Sequence, residues 1–487
     1  MKRLNALLVV AVLITVVSVG YCGTVDPPYE VGTWQGFSTA AVSYTFDDNL
    51  PNQLAIAVPM FDEFGFKLTL YTVTGSGWYA PANWTGLQAA AANGHEIGSH
   101  TVTHPSLNTK TIEVQTTELV DSQNTINSYI EPNQCFTIAY PNCNPSDAAL
   151  TATYYIAGRT CSGQIVPSTP SNFLQISSVI CGNQGVNTTS AFITKFTSAA
   201  SSGGWFVPLL HAVDGDNGYS PLSSTILRES LEYLDEHRST YWVSSFSNVV
   251  RYIKERNDVS VTQTSSTDAS ITIQVTDTLD NAIFSFPITI RRPLPENWLG
   301  VNVMQNGQPL DSNIVTVGET TYIMFDVIPD TGDVTLLKEL DAPTGLEAAA
   351  DINTVTLDWN DNAESTLAGY NAYRATAADS NLVKLNSSLI TASDYNDVNV
   401  PLDTTYHYAV TAVDSNSYES DFSNEAIVFG GPFGDFTGNL YLDLNDLSVF
   451  LNYWLLNNCD QTSGVDLDDN CNVNFIEFST LANNWKQ

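Results

Sequence analysis

The sequence predicts a multidomain chain: an α/β domain with largely parallel strands, then two all-β modules, then a small helical repeat. Three observations carry this. Over residues 34–256, strand-like and helix-like runs alternate, as they do when helices cover a parallel sheet. Over 258–340, and again over 342–430, the pattern becomes apolar–polar alternation, the mark of half-buried strands. Over 433–487 the chain repeats itself with an offset of 31 residues, Asp435 to Trp454 matching Asp466 to Trp485.

Each element follows from its residues. Val42–Phe46 and Lys67–Val73 are rich in β-branched and aromatic side chains and predict strands. Leu87–Asn93, Ile112–Tyr129 and Leu222–His237 predict helices, the last with Leu227, Leu231 and Leu234 at helical spacing. Ser260–Thr276 and Thr320–Ile328 read as strands of a β-rich accessory module. From Ala342 onward, Val355-Thr356-Leu357-Asp358-Trp359, Tyr370-Asn371-Ala372-Tyr373 and Thr405 to Val413 are short strands of a β-sandwich. In the tail, Leu447, Phe450, Leu451 and Trp454 mark one helix, and Phe478, Leu481, Ala482 and Trp485 mark its copy.

Bulk properties set the boundaries. At 487 residues the chain is too long for one ordinary domain. Fifty-two acidic residues against 17 basic ones give a net charge of −35, which argues against nucleic acid and anionic membranes as partners. A basic start at Lys2-Arg3, an apolar run Leu7–Val19 and small residues at Ser18-Val19-Gly20 predict a secretory signal peptide over 1–20. The expected product is a secreted or cell-surface bacterial protein with no membrane span after cleavage. Cys22 leaves lipidation open, although bulky Tyr21 argues against it. The other six cysteines suit an oxidising compartment. Cys459 and Cys471 stand apart and are expected to pair, whereas Cys135, Cys143, Cys161 and Cys181 leave three connectivities open.

The chemistry-bearing residues are few. Six histidines occur in the chain, and three lie within ten residues, at 95, 100 and 104. On a helical turn His100 and His104 would share a face, so both imidazoles could address one metal ion. A carboxylate from a strand end would complete a two-His, one-carboxylate site with open positions. Two carboxylates, Asp47 and Asp48, end the first strand. In the tail, Asp435, Thr437, Asn439, Asp443 and Asp446 occupy positions 1, 3, 5, 9 and 12 of a calcium loop. Asp466, Asp468, Asn470, Asn474 and Glu477 do so in the second copy. Leu440 and Cys471 stand where such loops usually place Gly.

Thr45-Phe46-Asp47-Asp48, followed by Ser99-His100-Thr101-Val102-Thr103-His104-Pro105, resembles the first two motifs of the polysaccharide deacetylase (NodB-like, carbohydrate esterase family 4) family. The resemblance spans about 40–255 and implies a distorted, incomplete (β/α) barrel. It implies Asp48, His100 and His104 as metal ligands, Asp47 as general base and, from Leu209-Leu210-His211, His211 as general acid. Zinc is the first choice of metal, with cobalt, nickel or manganese as alternatives. The family's third motif carries an Arg that is absent from Phe136 to Asn142, where Tyr140 and Pro141 remain. Arg159 is the candidate replacement, and Tyr140 and Arg159 are candidates for substrate and oxyanion contacts. The acid that usually orients the His is also missing, with Asp214 and Asp216 nearby only in sequence. Trp78, Tyr79, Trp84 and Trp205 are candidate sugar platforms. Residues 342–430 resemble fibronectin type III domains, with Tyr406 or Tyr408 as the corner tyrosine. Residues 433–487 resemble dockerin type I modules, which implies calcium-dependent folding and docking onto a cohesin-like or cell-surface protein. The implied function is removal of acetyl groups, N-acetyl first, from a polysaccharide. An O-acetyl esterase and a non-catalytic carbohydrate-binding or scaffold protein are the alternatives.

Overall fold

The structure is a computed structural model that describes residues 23–132, 134–351, 354–364, 366–377, 381–398, 400–401, 404–415, 417–429, 434–437, 441–457, 465 and 471–485. The expected signal peptide, Cys22, Asn439, Leu440, Cys459, Asp466, Asp468 and Asn470 lie outside the described residues. Two compact units result. One runs to Ser265 and takes in Thr272–Leu294 and Val303–Thr335; the other holds Ser266–Ile271, Pro295–Asn302 and Leu336–Gln487.

The first unit is built on β1 (Glu30–Val31), β2 (Ala40–Val42), β3 (Thr45–Asp47), β4 (Thr69–Thr72), β5 (Glu96–Ser99), β6 (Thr137–Ala139), β7 (Ala157–Arg159), β8 (Val179–Ile180), β9 (Trp205–Phe206), β10 (Pro208–Leu210) and β11 (Tyr241–Val243). Seven of them form one sheet in the order β7-β6-β5-β4-β3-β10-β8, every neighbouring pair parallel. Strands covered on both faces bury both rows of side chains, and from Val42 to Phe46 every residue is buried, the polar Ser43 and Thr45 included. That run does not form one strand. It splits, because β2 pairs with β9 and β11 while β3 pairs with β10 and β4. Ser43 and Tyr44 bridge the two sheets, Ser43 N–H donating to Phe206 O and Tyr44 O accepting from Thr69 N–H. The joined wall is an incomplete barrel.

Helices pack around it: α1 (Val58–Glu63), α2 (Trp84–Ala92), α3 (Ile112–Tyr129), α4 (Ala148–Tyr154), α5 (Thr189–Ser202), α6 (Ser224–Glu236) and α7 (Phe246–Asp258). On α6, Leu227, Leu231 and Leu234 are buried, as their spacing predicts. Trp205, a candidate sugar platform, has no exposed surface, packs against Phe246 and donates its indole N–H to Ser43 Oγ. Trp84 stacks on Tyr129 with centroids 4.2 Å apart. Both pack against the core, and Trp205 has no surface left to serve as a platform.

β1 does not join the barrel. It pairs antiparallel with Ile288–Pro293, which pairs in turn with Thr320–Val327 and through it with Ser312–Val317. Tyr29 Oη donates to Gln263 Oε1, and Val25 bridges Val261. The segment before residue 34 is thus part of the β-rich region.

In the second unit, seven strands make two antiparallel sheets between Glu347 and Phe429, one of three strands and one of four. Leu357, Trp359, Tyr370, Tyr408 and Val410 fill the core. Tyr406 makes the corner, its hydroxyl donating to Pro401 O, while Tyr408 donates to Asp397 Oδ2. In the tail, Leu444–Tyr453 and Phe475–Asn484 are helices, each opened by a reciprocal capping box, Asp443 with Asp446 and Asn474 with Glu477. Phe436, Phe450, Val465, Val473 and Leu481 form a small core. Among the described residues no helix is long and apolar enough to cross a membrane.

Candidate active site

The C-terminal ends of β3, β5, β7 and β10 bring together the residues singled out by sequence. Asp47 closes β3; Asp48 and Asn49 follow with φ of 80° and 60°, the left-handed region that a short polar side chain tolerates best. That turn aims both carboxylates inward. Asn49 fixes it by donating to Val73 O and Ala80 O and accepting from Val73 N–H. Trp78 donates to Asp48 O, and Gln53 donates to the carbonyls of both Asp47 and His211. Sequence reasoning missed Asn49 and Gln53, whose role appears only once loops from β3, β4 and β10 meet.

Asp48, His100 and His104 each present a ligand atom, all within 4.8 Å of one another. His104 Nε2 lies 3.5 Å and His100 Nε2 3.6 Å from Asp48 Oδ1. His100 Nδ1 is 2.8 Å from Ala139 O, which places the proton there and leaves the Nε2 lone pair free for a metal. Burial drives the His100 pKa down to about 3, and it lowers those of His104 and His211 as well. Asp48 Oδ1 is buried without a hydrogen-bond partner, and burial followed by the Asp47 charge pushes its pKa up to about 7. A divalent cation would satisfy that oxygen, so the donor set fits the metal that the resemblance implies.

The way the two histidines converge differs from expectation. Residues 100–105 are not helical: His100 follows directly on β5, and Thr101 and His104 have φ of 66° and 58°. The pair meets through two left-handed residues in a loop, which helical spacing does not describe.

Arg159 is buried at the end of β7, its Nη2 2.5 Å from Asp47 Oδ2 and its Nη1 3.3 Å from Thr45 Oγ1. It is therefore the partner of Asp47 rather than a substrate or oxyanion contact. Burial raises the Asp47 pKa, but Arg159, then His100 and His211, outweigh it and hold the carboxyl below the usual range. Asp47 Oδ1 is buried and unpartnered. Tyr140 also departs from its expected role. Its N–H donates to Arg159 O and its buried hydroxyl to Leu174 O, so neither group is available to an oxyanion.

His211 follows β10, its Nε2 3.9 Å from both Asp47 Oδ2 and Asp48 Oδ2. Its Nδ1 is buried without a partner. Asp214 instead accepts from Ser224 N–H at the start of α6, and Asp216 accepts from Asn52 N–H. Around the site, Trp78 packs on His104 with centroids 4.5 Å apart, exposed Tyr79 packs on Trp78, and exposed Tyr219 meets His211 edge to face at 5.0 Å. His95 lies away from the site, bonded to Leu68 N–H and Asp62.

Of the four cysteines left open, Cys143 and Cys161 are bridged, while Cys135 and Cys181 are free and buried. Both free thiols sit in apolar surroundings, where they pack as small hydrophobes. Cys471 is disulfide-bonded.

Residues 36–156 match the family model described as polysaccharide deacetylase. The match supports a polysaccharide deacetylase domain. A curated relative, a gellan lyase from a Bacillus species, is 29% identical over 336 residues, which is 64% of this chain. The chain spans only 13% of that relative's length. Among solved structures, the Xyl-CE4 domain of a multidomain xylanase from the hindgut metagenome of Trinervitermes trinervoides is 15% identical. That alignment covers 43% of this chain and 89% of that one, with a TM-score of 0.32. An Fn3-like protein from Clostridium thermocellum is 34% identical over 18% of this chain and 90% of its own, with a TM-score of 0.17.

Proposed function

We propose that the protein is a secreted, divalent-metal-dependent hydrolase that removes acetyl groups, N-acetyl first, from a polysaccharide. One observation carries the reading: an Arg-paired carboxylate, a two-His, one-Asp ligand set and a third imidazole converge in a single site. Asp48, His100 and His104 would hold the metal, zinc by first choice. A divalent metal in such a site supplies Lewis-acid activation of water and of the acetyl carbonyl. Asp47, held ionised by Arg159, takes the proton of the attacking water. His211, whose Nε2 lies 3.9 Å from Asp47 Oδ2, would receive the proton that Asp47 takes from water and pass it to the departing nitrogen or oxygen of the sugar. Tyr79 and Tyr219 are the exposed aromatic faces beside the reacting centre, and amphipathic rings of this kind suit the mixed apolar and polar faces of a sugar.

The tail supports a calcium-dependent docking module. Asp446 accepts from Thr437 N–H and Oγ1, and Glu477 Oε1 is buried without a partner. A cohesin-like or cell-surface protein is the proposed partner. Secretion is supported by the basic, then apolar, start of the chain and by the Cys143–Cys161 bridge. The test is acetate release by the metal-loaded full chain from chito-oligosaccharides and from acetylated xylan. Release from the first supports the proposal, and release from the second alone assigns O-acetyl esters instead. Release from neither, across a panel of acetylated glycans, returns the non-catalytic reading.

A further inference from the structure

The loop that carries His104 is held in an unfavourable conformation. Thr101 and His104 both adopt left-handed backbone angles, each costing an L-residue about 1–2 kcal/mol. A segment like this keeps its shape only where its surroundings over-determine it. Part of the constraint is local: Thr101 Oγ1 accepts from His104 N–H, and Ser99 Oγ accepts from Thr101 N–H. The rest comes from α3. Glu118 Oε2 accepts from the N–H groups of both Val102 and Thr103, each at 2.8 Å, and Oε1 accepts from Thr103 Oγ1 at 2.5 Å. One turn further along α3, Ser122 Oγ bonds Ser99 Oγ at 2.8 Å. Glu118 is only 6% exposed, and these three hydrogen bonds all go to the two residues immediately before His104.

We propose that Glu118 is a positioning residue for the metal site: it clamps residues 102–103 and so fixes where His104 presents its Nε2. The inference rests on Asp48, His100 and His104 being the metal ligands, and its test separates the two claims. A carboxylate bonded to backbone N–H groups is a strong, charge-assisted acceptor. Outer-shell partners of this kind are worth 10–100-fold in metal affinity.

The measurement is zinc affinity of the full chain by competition with a chromophoric chelator, alongside thermal unfolding of the metal-free protein. Glu118→Ala should weaken zinc binding about 10–100-fold, with its α/β circular dichroism intact. Glu118→Gln keeps one oxygen for the two N–H groups and should restore most of that affinity. Thr103→Val removes only the bond to Oε1 and should give a smaller loss in the same direction, which provides the readout if Glu118→Ala does not fold. A purely structural anchor would instead lower the melting temperature of the metal-free protein and leave the affinity of the folded fraction unchanged. His104→Ala is the reference. If it abolishes tight binding while Glu118→Ala and Thr103→Val both bind as the wild type does, the positioning role is wrong. If His104→Ala itself binds normally, the ligand assignment fails first and takes the positioning role with it.

Discussion

Replacing Arg159 by Met tests the centre of the site more directly than removing a ligand. The guanidinium lies 2.5 Å from Asp47 Oδ2, and both side chains are buried. At an effective dielectric of about 20, the gross attraction at that distance is about 7 kcal/mol. Desolvation of both ions offsets much of it. Breaking one partner out of a buried pair therefore costs roughly 3–5 kcal/mol, because the survivor is left charged and unpaired. For a unit of this size about 2–4 °C is lost per kcal/mol, so Arg159→Met should melt some 6–20 °C lower. Activity should fall at least about 100-fold, since an unpaired Asp47 either takes up a proton or turns away and no longer serves as base. Differential scanning calorimetry of the chelated and metal-loaded protein, with acetate-release kinetics, provides the readouts. The double variant Arg159→Met with Asp47→Asn should recover most of the melting temperature and none of the activity, because both charges are then gone. A single variant that melts within about 2 °C of the wild type and keeps turnover within about threefold would refute the pairing as the source of either property.

Other outcomes follow from the same contacts. Asp47→Asn should retain metal by elemental analysis yet lose roughly 10²–10⁴-fold in kcat, since a base and not a ligand has gone; full turnover in a metal-replete variant would remove Asp47 from that role. Glu255 is buried with Oε2 unpartnered, and burial, with Asp277 nearby, pushes its pKa to about 8. A carboxyl raised in the folded state costs stability progressively as pH climbs from its unfolded value, near 4.5, to about 8. Glu255→Gln should therefore melt higher than the wild type at pH 8.5 and close to it at pH 4.5, and an equal shift at both would contradict the titration. Chelation of the full chain should expose Trp454 and Trp485, with fluorescence restored by calcium at concentrations up to about millimolar, as in extracellular calcium modules. A spectrum indifferent to calcium in that range would leave the 31-residue repeat without an ion.

What the sequence disclosed was chemistry; what it hid was geometry. Asp47, Asp48, His100, His104 and His211, which the structure brings together, were legible as candidates because metal and proton-transfer chemistry restricts residue types, whatever backbone presents them. The backbone itself was not. Left-handed angles at Thr101 and His104 fall on ordinary residues, so nothing in the letters separates that loop from a helical turn. Arg159 was visible as an isolated cation, but its partner Asp47 stands four strands away in the sheet order, and the parallel register of β6 and β7 fixes only the place of Arg159 at the end of β7. The same register takes the Tyr140 N–H. Trp84 and Trp205 show the converse, since an indole reads alike in a core and on a platform. An even cysteine count hid two thiols, Cys135 and Cys181, that burial keeps as packing. The β-sandwich pattern was legible, because short alternating strands leave few other arrangements, but the letters left the corner open between Tyr406 and Tyr408, and only the Tyr406 hydroxyl bond to Pro401 O chooses.

The short pairing of Glu30–Val31 with Arg291 and Ile290 has a practical consequence for anyone trimming the chain to its candidate site. A fragment trimmed to 34–256, the span that carries every candidate catalytic residue, would lose material from both ends at once. Before residue 34 it would drop Gly32, whose carbonyl takes the Tyr252 hydroxyl in the middle of α7. After residue 256 it would drop Phe286, which packs on Trp242 and Tyr252 and whose N–H donates to Glu255 Oε1. Aromatic surface and a buried carboxyl would then face water. The trimmed product should be expected to aggregate for reasons unrelated to catalysis, and its inactivity would say nothing about the active site. Cloning limits drawn near residues 24 and 338 respect the packing that the motifs alone do not reveal.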